Sequence, residues 1–277
     1  MNRGVRQGGS RLKDLVMRRR VVGVLAVSAG LVLSAGPAMA AGSSGQQDAA
    51  RPMAYKCMGG EIPSGAYSSI TVAGPCSVGA DAMIRVTGSV TVRPGAVLDA
   101  QTAPSTITVR GNVTAAPGSL LGLGCQSPAY TGNSGHECAV EPDGHSVITV
   151  YGSITAIQAN TVLLNGITVK HNVTLTGGGG DIPWSIKNNM IGGSLSVRGQ
   201  TTSWLGVLFN SIGKDATLTQ IVVVDVDPGA PGVYVVRNTV GRDLTCRKLS
   251  PGVSGGFVPG EVNVVGRHAT GQCASLV

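Results

Sequence analysis

Asp215 and Asp243 occupy the same place in two copies of an eight-residue pattern, Asn210 to Thr217 and Asn238 to Thr245, with Arg242 immediately before the second acid. On neighbouring strands these carboxylates would lie roughly 5 Å apart, by strand spacing. A pair about 5–5.5 Å apart is the arrangement used in retaining glycoside hydrolysis. The adjacent column, however, is basic (Lys214, Arg242, Arg267), and exposed ladders of opposite sign neutralise one another at little energetic gain. Asp215, Asp243 and Arg242 are therefore weak catalytic candidates, and no catalytic set is assigned.

Two other groups of residues could do chemistry. Tyr130, His136 and Glu137, with Glu141, Asp143 and His145 just after, cluster around the polar, Gly-rich segment Cys125 to Cys138. A metal or acid–base site would use such groups; a solvated excursion tied at its base by a disulfide is the simpler reading. Trp184 and Trp204, with Tyr234, lie 11, 12 and 10 residues before Leu195, Ala216 and Leu244. In a stack of coils the three rings are expected on one wall, where they would bind a sugar by stacking on its apolar face; filling the core is the alternative use. The run Thr176 to Asp181 fails as a calcium-binding roll, because Ile182 stands where the Asp should be, and it lacks the Gly-Lys-Ser/Thr of a phosphate loop. No C-x-x-C or His pairing suggests zinc. No cofactor and no metal are expected.

These residues sit in a repeat. Asn189 to Ser196, Asn210 to Thr217, Asn238 to Thr245 and Asn263 to Thr270 share one frame, and Ile84 to Thr91, Ile107 to Thr114, Ile148 to Thr155 and Ile167 to Thr174 share it with Ile in the first position. The seventh position (Val90, Val113, Ile154, Val173, Leu195, Ala216, Leu244, Ala269) recurs at steps of 23, 41, 19, 22, 21, 28 and 25 residues. A period of about 22 with insertions is the mark of a solenoid. The frame alternates apolar and polar residues and favours Val, Ile and Thr, so each copy is strand rather than helix. The expected fold is all-β: a single right-handed parallel β-helix of about eight to nine coils over residues 55–277. Like residues then stack on like. Ile84, Ile107, Ile148 and Ile167 form an inward column, continued by Asn189, Asn210, Asn238 and Asn263 as an asparagine ladder, each amide bonding the next.

Composition agrees with this. There are 42 Gly among 277 residues and only 3% aromatic residues, which suits a thin-walled solenoid with many corners. The net charge of +7 comes largely from residues 1–40, which contribute +6, so nucleic acid is not an expected partner. That segment has a basic start ending at Arg18-Arg19-Arg20, an apolar run from Val21 to about Leu33, and Ala38-Met39-Ala40 before Ala41. It reads as a secretory signal peptide cleaved after Ala40, for either general or twin-arginine export. The apolar run is too short to span a bilayer, and no span is expected in the mature chain. Residues 41–54 are expected to be a flexible linker. Six cysteines suit an oxidising compartment. Because residues far apart along a solenoid cannot touch, the expected pairs are sequential: Cys57–Cys76 at an N-terminal cap, Cys125–Cys138, and Cys246–Cys273 at the C-terminal edge.

In the frame Ile107-Thr108-Val109-Arg110-Gly111-Asn112-Val113-Thr114, and in Pro183 to Asn189 and Val236 to Gly241, residues 57–277 resemble the secreted bacterial parallel β-helix proteins that have no assigned activity. The resemblance implies a secreted, extracellular or cell-surface scaffold. The wider class contains pectate lyases and polygalacturonases, whose catalytic patterns have no convincing counterpart here. The expectation is a monomeric, non-catalytic β-helix with a structural role, or one that binds polysaccharide or cell-wall material; a polysaccharide lyase or glycoside hydrolase is the alternative.

Overall fold

The computed structural model describes residues 51–224, 232–256, 260 and 262–277. The leader and most of the linker, and residues 225–231 of the insertion Asp225 to Gly232, lie outside the described residues. The chain winds as a parallel β-helix whose coils have three walls. One wall takes Ala82–Val86, Ser105–Val109 and Val147–Val150, then two-residue strands from Thr168–Val169 to Val264–Val265. A second takes the strands that begin at the seventh frame position, from Val90–Val92 to Ala269–Gly271. These two walls belong to one 19-stranded sheet, because Gly65–Val72 runs across their shared corner and pairs with a strand of each. The third wall is a separate nine-stranded sheet running from Gly60–Glu61 through Trp184–Lys187, Leu205–Leu208 and Val233–Val236 to Val253–Ser254. Nine rungs match the expected eight to nine coils.

Register follows the frame without a slip. The pairs Val90↔Val113, Val113↔Ile154, Ile154↔Val173, Val173↔Leu195, Leu195↔Ala216, Ala216↔Leu244 and Leu244↔Ala269 put each seventh position on the next, even across the 41-residue step. Period-2 alternation turns these side chains into one continuous apolar core, because a slip of one residue would send them all to solvent. The extra length of the 41-residue step leaves the coil between Leu123 and Val147, and its neck is closed where the Ser146 N–H donates to the Cys125 carbonyl at 2.8 Å. Strand structure begins at Met53, inside the expected linker: Met53–Cys57 pairs with Gly65–Val72.

The change from Ile to Asn at the first frame position follows a tightening of the corner. In the early coils the first wall is four or five residues long. From Thr168–Val169 onward it shrinks to two, and the chain turns from the third wall through one left-handed residue. This is Gly166 before Ile167, whose N–H is met by Asn189 Oδ1 of the next coil, then Asn188, Phe209 and Arg237 before the asparagines, with φ of 71°, 56°, 58° and 48°. So tight a corner leaves backbone groups out of line with the ladder, and the buried Asn that follows supplies the missing bonds. The Oδ1 of Asn210 accepts from the backbone N–H and the Nδ2 of Asn189, both at 3.0 Å, while its own Nδ2 donates to the Ile186 carbonyl (2.8 Å) and to Asn238 Oδ1 (2.9 Å). Asn238 repeats this with Asn263. At Asn263 the carbonyl of Leu276 takes the place of a further Oδ1, accepting from both the backbone N–H and the Nδ2 at 2.9 Å.

All six cysteines are buried and form Cys57–Cys76, Cys125–Cys138 and Cys246–Cys273. In the chain-entropy description each such bridge contributes about 3 kcal/mol. Among the described residues no helix is long and apolar enough to cross a membrane.

Candidate functional site

Asp215 and Asp243 belong to a structural column at the corner between the first two walls. At the sixth frame position, a short side chain accepts a hydrogen bond from the backbone N–H of the same position one coil later. Ser89 Oγ accepts from Asn112, Asn112 Oδ1 from Ser153, Ser153 Oγ from Asn172, Asn172 Oδ1 from Ser194 and Ser194 Oγ from Asp215. The column continues through Asp215 Oδ1, which accepts from the Asp243 N–H (3.3 Å), and Asp243 Oδ1, which accepts from the His268 N–H (3.1 Å). A carboxylate here does what Ser and Asn do in the other coils. The glycines beside this column, such as Gly241, leave no room for a Cβ against the carbonyl of the coil before. Among the described residues neither Lys214, Arg242 nor Arg267 pairs with these acids; the ion pair found is His268–Asp243, at 3.2 Å and largely exposed. Both carboxylates are engaged in capping successive coils, and among the described residues no lysine or arginine pairs with them.

The three rings lie along the third wall but not on one face of it. Trp184 points into the coil and is fully buried, and its indole Nε1 donates to the Asn160 carbonyl at 3.0 Å. It belongs to the core, because its partner in the next coil is the inward Leu205. Trp204 precedes that strand and lies outside it, half-buried, with the end of its ring over Gly206; any Cβ at Gly206 would overlap the indole. Tyr234 pairs with Gly206 and so faces outward too, its ring 5.2 Å from that of Trp204, but it is only 6% exposed. Trp204 is thus the accessible ring, backed by Tyr234. Phe209, at the left-handed corner, completes an outer apolar cluster with Leu208 and Val236.

This cluster floors a groove of about 510 Å³ on the third wall. Lys187, Leu208 and Val236 form one outward column along its floor, Trp204 and Tyr234 lie to one side, and Phe209 and Arg237 lie to the other, the Arg237 guanidinium 5.7 Å from the Phe209 ring centre. The disulfide-tied loop closes one end with Gly132, Asn133 and Ser134. Sequence reasoning placed chemistry in this loop but missed how it is held. Asn133 and Asn188 exchange reciprocal side-chain amide bonds of 2.8 and 3.0 Å, and Lys187 Nζ donates to the Gly135 carbonyl at 3.3 Å. A second hollow, of about 380 Å³, lies on the other side of the loop against Gln126, Tyr130 and Met190. The loop's titratable groups do not converge. Tyr130 stacks on His145 at 4.1 Å, Glu137, Glu141 and Asp143 face solvent, and no cluster of three or more metal-ligating side chains occurs among the described residues. Burial and the nearby Lys187 charge, partly offset by Asp99, hold the His136 pKa below its ordinary 6.5. Burial alone lowers that of Lys187.

The structure therefore brings together Trp204, Tyr234 and the Cys125–Cys138 loop, and separates them from Trp184, from the Asp215–Asp243 corner and from Arg242. Neither family models, curated proteins nor solved structures yielded a match to this chain.

Proposed function

We propose that this chain is a secreted, non-catalytic β-helix that binds polysaccharide in the groove over Trp204. The observation that carries the reading is the combination of a half-buried indole reaching over Gly206 of the wall, an apolar floor, and polar groups at the rim supplied by a pinned loop. Such a surface suits a sugar ring: apolar C–H groups meet the aromatic face while hydroxyls reach Ser134 at the rim. Aromatic side chains with an apolar body beside a polar rim are the usual anchors of such sites. The leader, with its basic start and Ala38-Met39-Ala40, and the three disulfides support export to an oxidising space. The test is co-sedimentation of the protein from residue 41 onward with insoluble polysaccharides, including peptidoglycan. Trp204→Ala is expected to abolish retention with the thermal midpoint nearly unchanged; retention equal to that of the unaltered chain would refute the groove.

A further inference from the structure

The groove carries a charge that no carboxylate among the described residues pairs with. Lys187 rises from its floor, half-buried, beside Leu208. Its ammonium has one hydrogen bond, to the Gly135 carbonyl at 3.3 Å, and no carboxylate partner among the described residues. The groups facing it make the deficit clear. His136, on the loop above, is held toward neutrality partly by the Lys187 charge itself. The acid that acts on His136, Asp99, accepts from the backbone N–H groups of Gln101 and Thr102 and from the Thr102 hydroxyl, and forms no ion pair with Lys187. None of the described residues that line the groove is acidic. Taking an ammonium out of water without a counter-charge is unfavourable, and a ligand carboxylate entering the groove would relieve that cost.

We propose that the groove selects carboxylated sugars, those of uronic-acid polymers, with the Lys187 ammonium binding the carboxylate while the ring stacks on Trp204. This rests on the polysaccharide reading above and adds the chemical class of the ligand. The position of Lys187 next to Leu208 and Val236, in line along the floor, sets the carboxylate to one side of the stacked ring, and charge-assisted hydrogen bonds of this kind are the strong ones.

The experiment compares a polyglucuronate with the same polymer after its carboxyls have been reduced to alcohols, by affinity electrophoresis and calorimetry. The unaltered chain is expected to bind the acidic polymer at least about tenfold more tightly, a difference that shrinks with added salt. Lys187→Met keeps the apolar stem and removes the charge; it should erase that preference, so that the acidic and the reduced polymer bind with equal affinity, and leave the thermal midpoint equal or higher. Lys187→Arg should restore the preference. Equal affinity of the unaltered chain for both polymers, or a preference that survives in Lys187→Met, would overturn the carboxylate assignment while the polysaccharide reading stands. Binding to neither polymer would overturn both.

Discussion

Replacing Asn210 by Ala tests whether the asparagine column is what closes the tight corner. Asn210 is 2% exposed and makes four hydrogen bonds of 2.8 to 3.0 Å. Its loss strips the Asn189 backbone N–H of its acceptor and takes a donor from the Ile186 carbonyl, at a depth water does not reach. Each buried polar group left unmet costs about 1–3 kcal/mol. With the small void left by the side chain, the total is about 3–6 kcal/mol. For a domain of this size that lowers the melting temperature by about 10–20 °C, at roughly 2–4 °C per kcal/mol. Asp215→Ala is the internal control: it removes one bond at a half-exposed corner, where the Asp243 N–H can turn to water, and should cost under about 1 kcal/mol. Far-UV circular dichroism with the disulfides intact measures both, and hydrogen exchange at the Asn189 amide locates the damage. If Asn210→Ala costs no more than Asp215→Ala, the column is ornamental and the account of the corner is wrong.

Two further outcomes follow from the groove and its loop. Gly206→Ala should lift the Trp204 indole off the wall, since the added methyl would occupy the space of the ring; Trp fluorescence should shift to the red, with little loss of stability, and an unchanged spectrum would mean that the ring does not lie there. Acidification should loosen the loop. The folded His136 pKa lies below its ordinary 6.5, so the unfolded chain takes up the proton first, and the stability of the neutral form is present above about pH 6.5 and lost as pH falls through the folded value. Proteolytic nicking of the segment 126–137 should therefore rise between pH 7 and 5, and His136→Asn should flatten that dependence.

The fold was legible because one structural requirement is written eight times. A seventh position that must be inward and an eighth that must be outward leave an apolar residue beside Thr or Ser in every coil, and the pairs from Val90↔Val113 to Leu244↔Ala269 follow that reading. The site was legible only in part. Trp184 lies an odd number of residues before its seventh position, Trp204 and Tyr234 an even number, and on a strand that difference alone decides core or surface. Spacing treated as approximate placed three rings on one wall; parity places two outside and one within. Asp215 and Asp243, only weak catalytic candidates from the sequence, have a structural use that their charge hides. Read as charges they form a pair, whereas read with Ser89, Asn112, Ser153, Asn172 and Ser194 they are short acceptors in one column. The path of the Cys125–Cys138 loop could not be read at all, because the Asn133–Asn188 exchange joins residues 55 apart that share no pattern.

The two corner columns also bear on how such a chain can be inherited. Each rung recognises only its own position in the coil before and the coil after, and in the sixth-position column it accepts the same backbone bond whether the side chain is Ser, Asn or Asp. A stretch of 21 residues from Asn189 to Phe209 is therefore a self-contained cassette: copied once in tandem, it would present Asn189 to a second Asn189 with the geometry it now offers Asn210. Duplication and loss of whole coils are cheap in such an architecture, whereas a change of one residue inside a wall is not. The unequal steps between coils, from 19 to 41 residues, are what that grammar permits: free spelling between rungs, strict spelling on them.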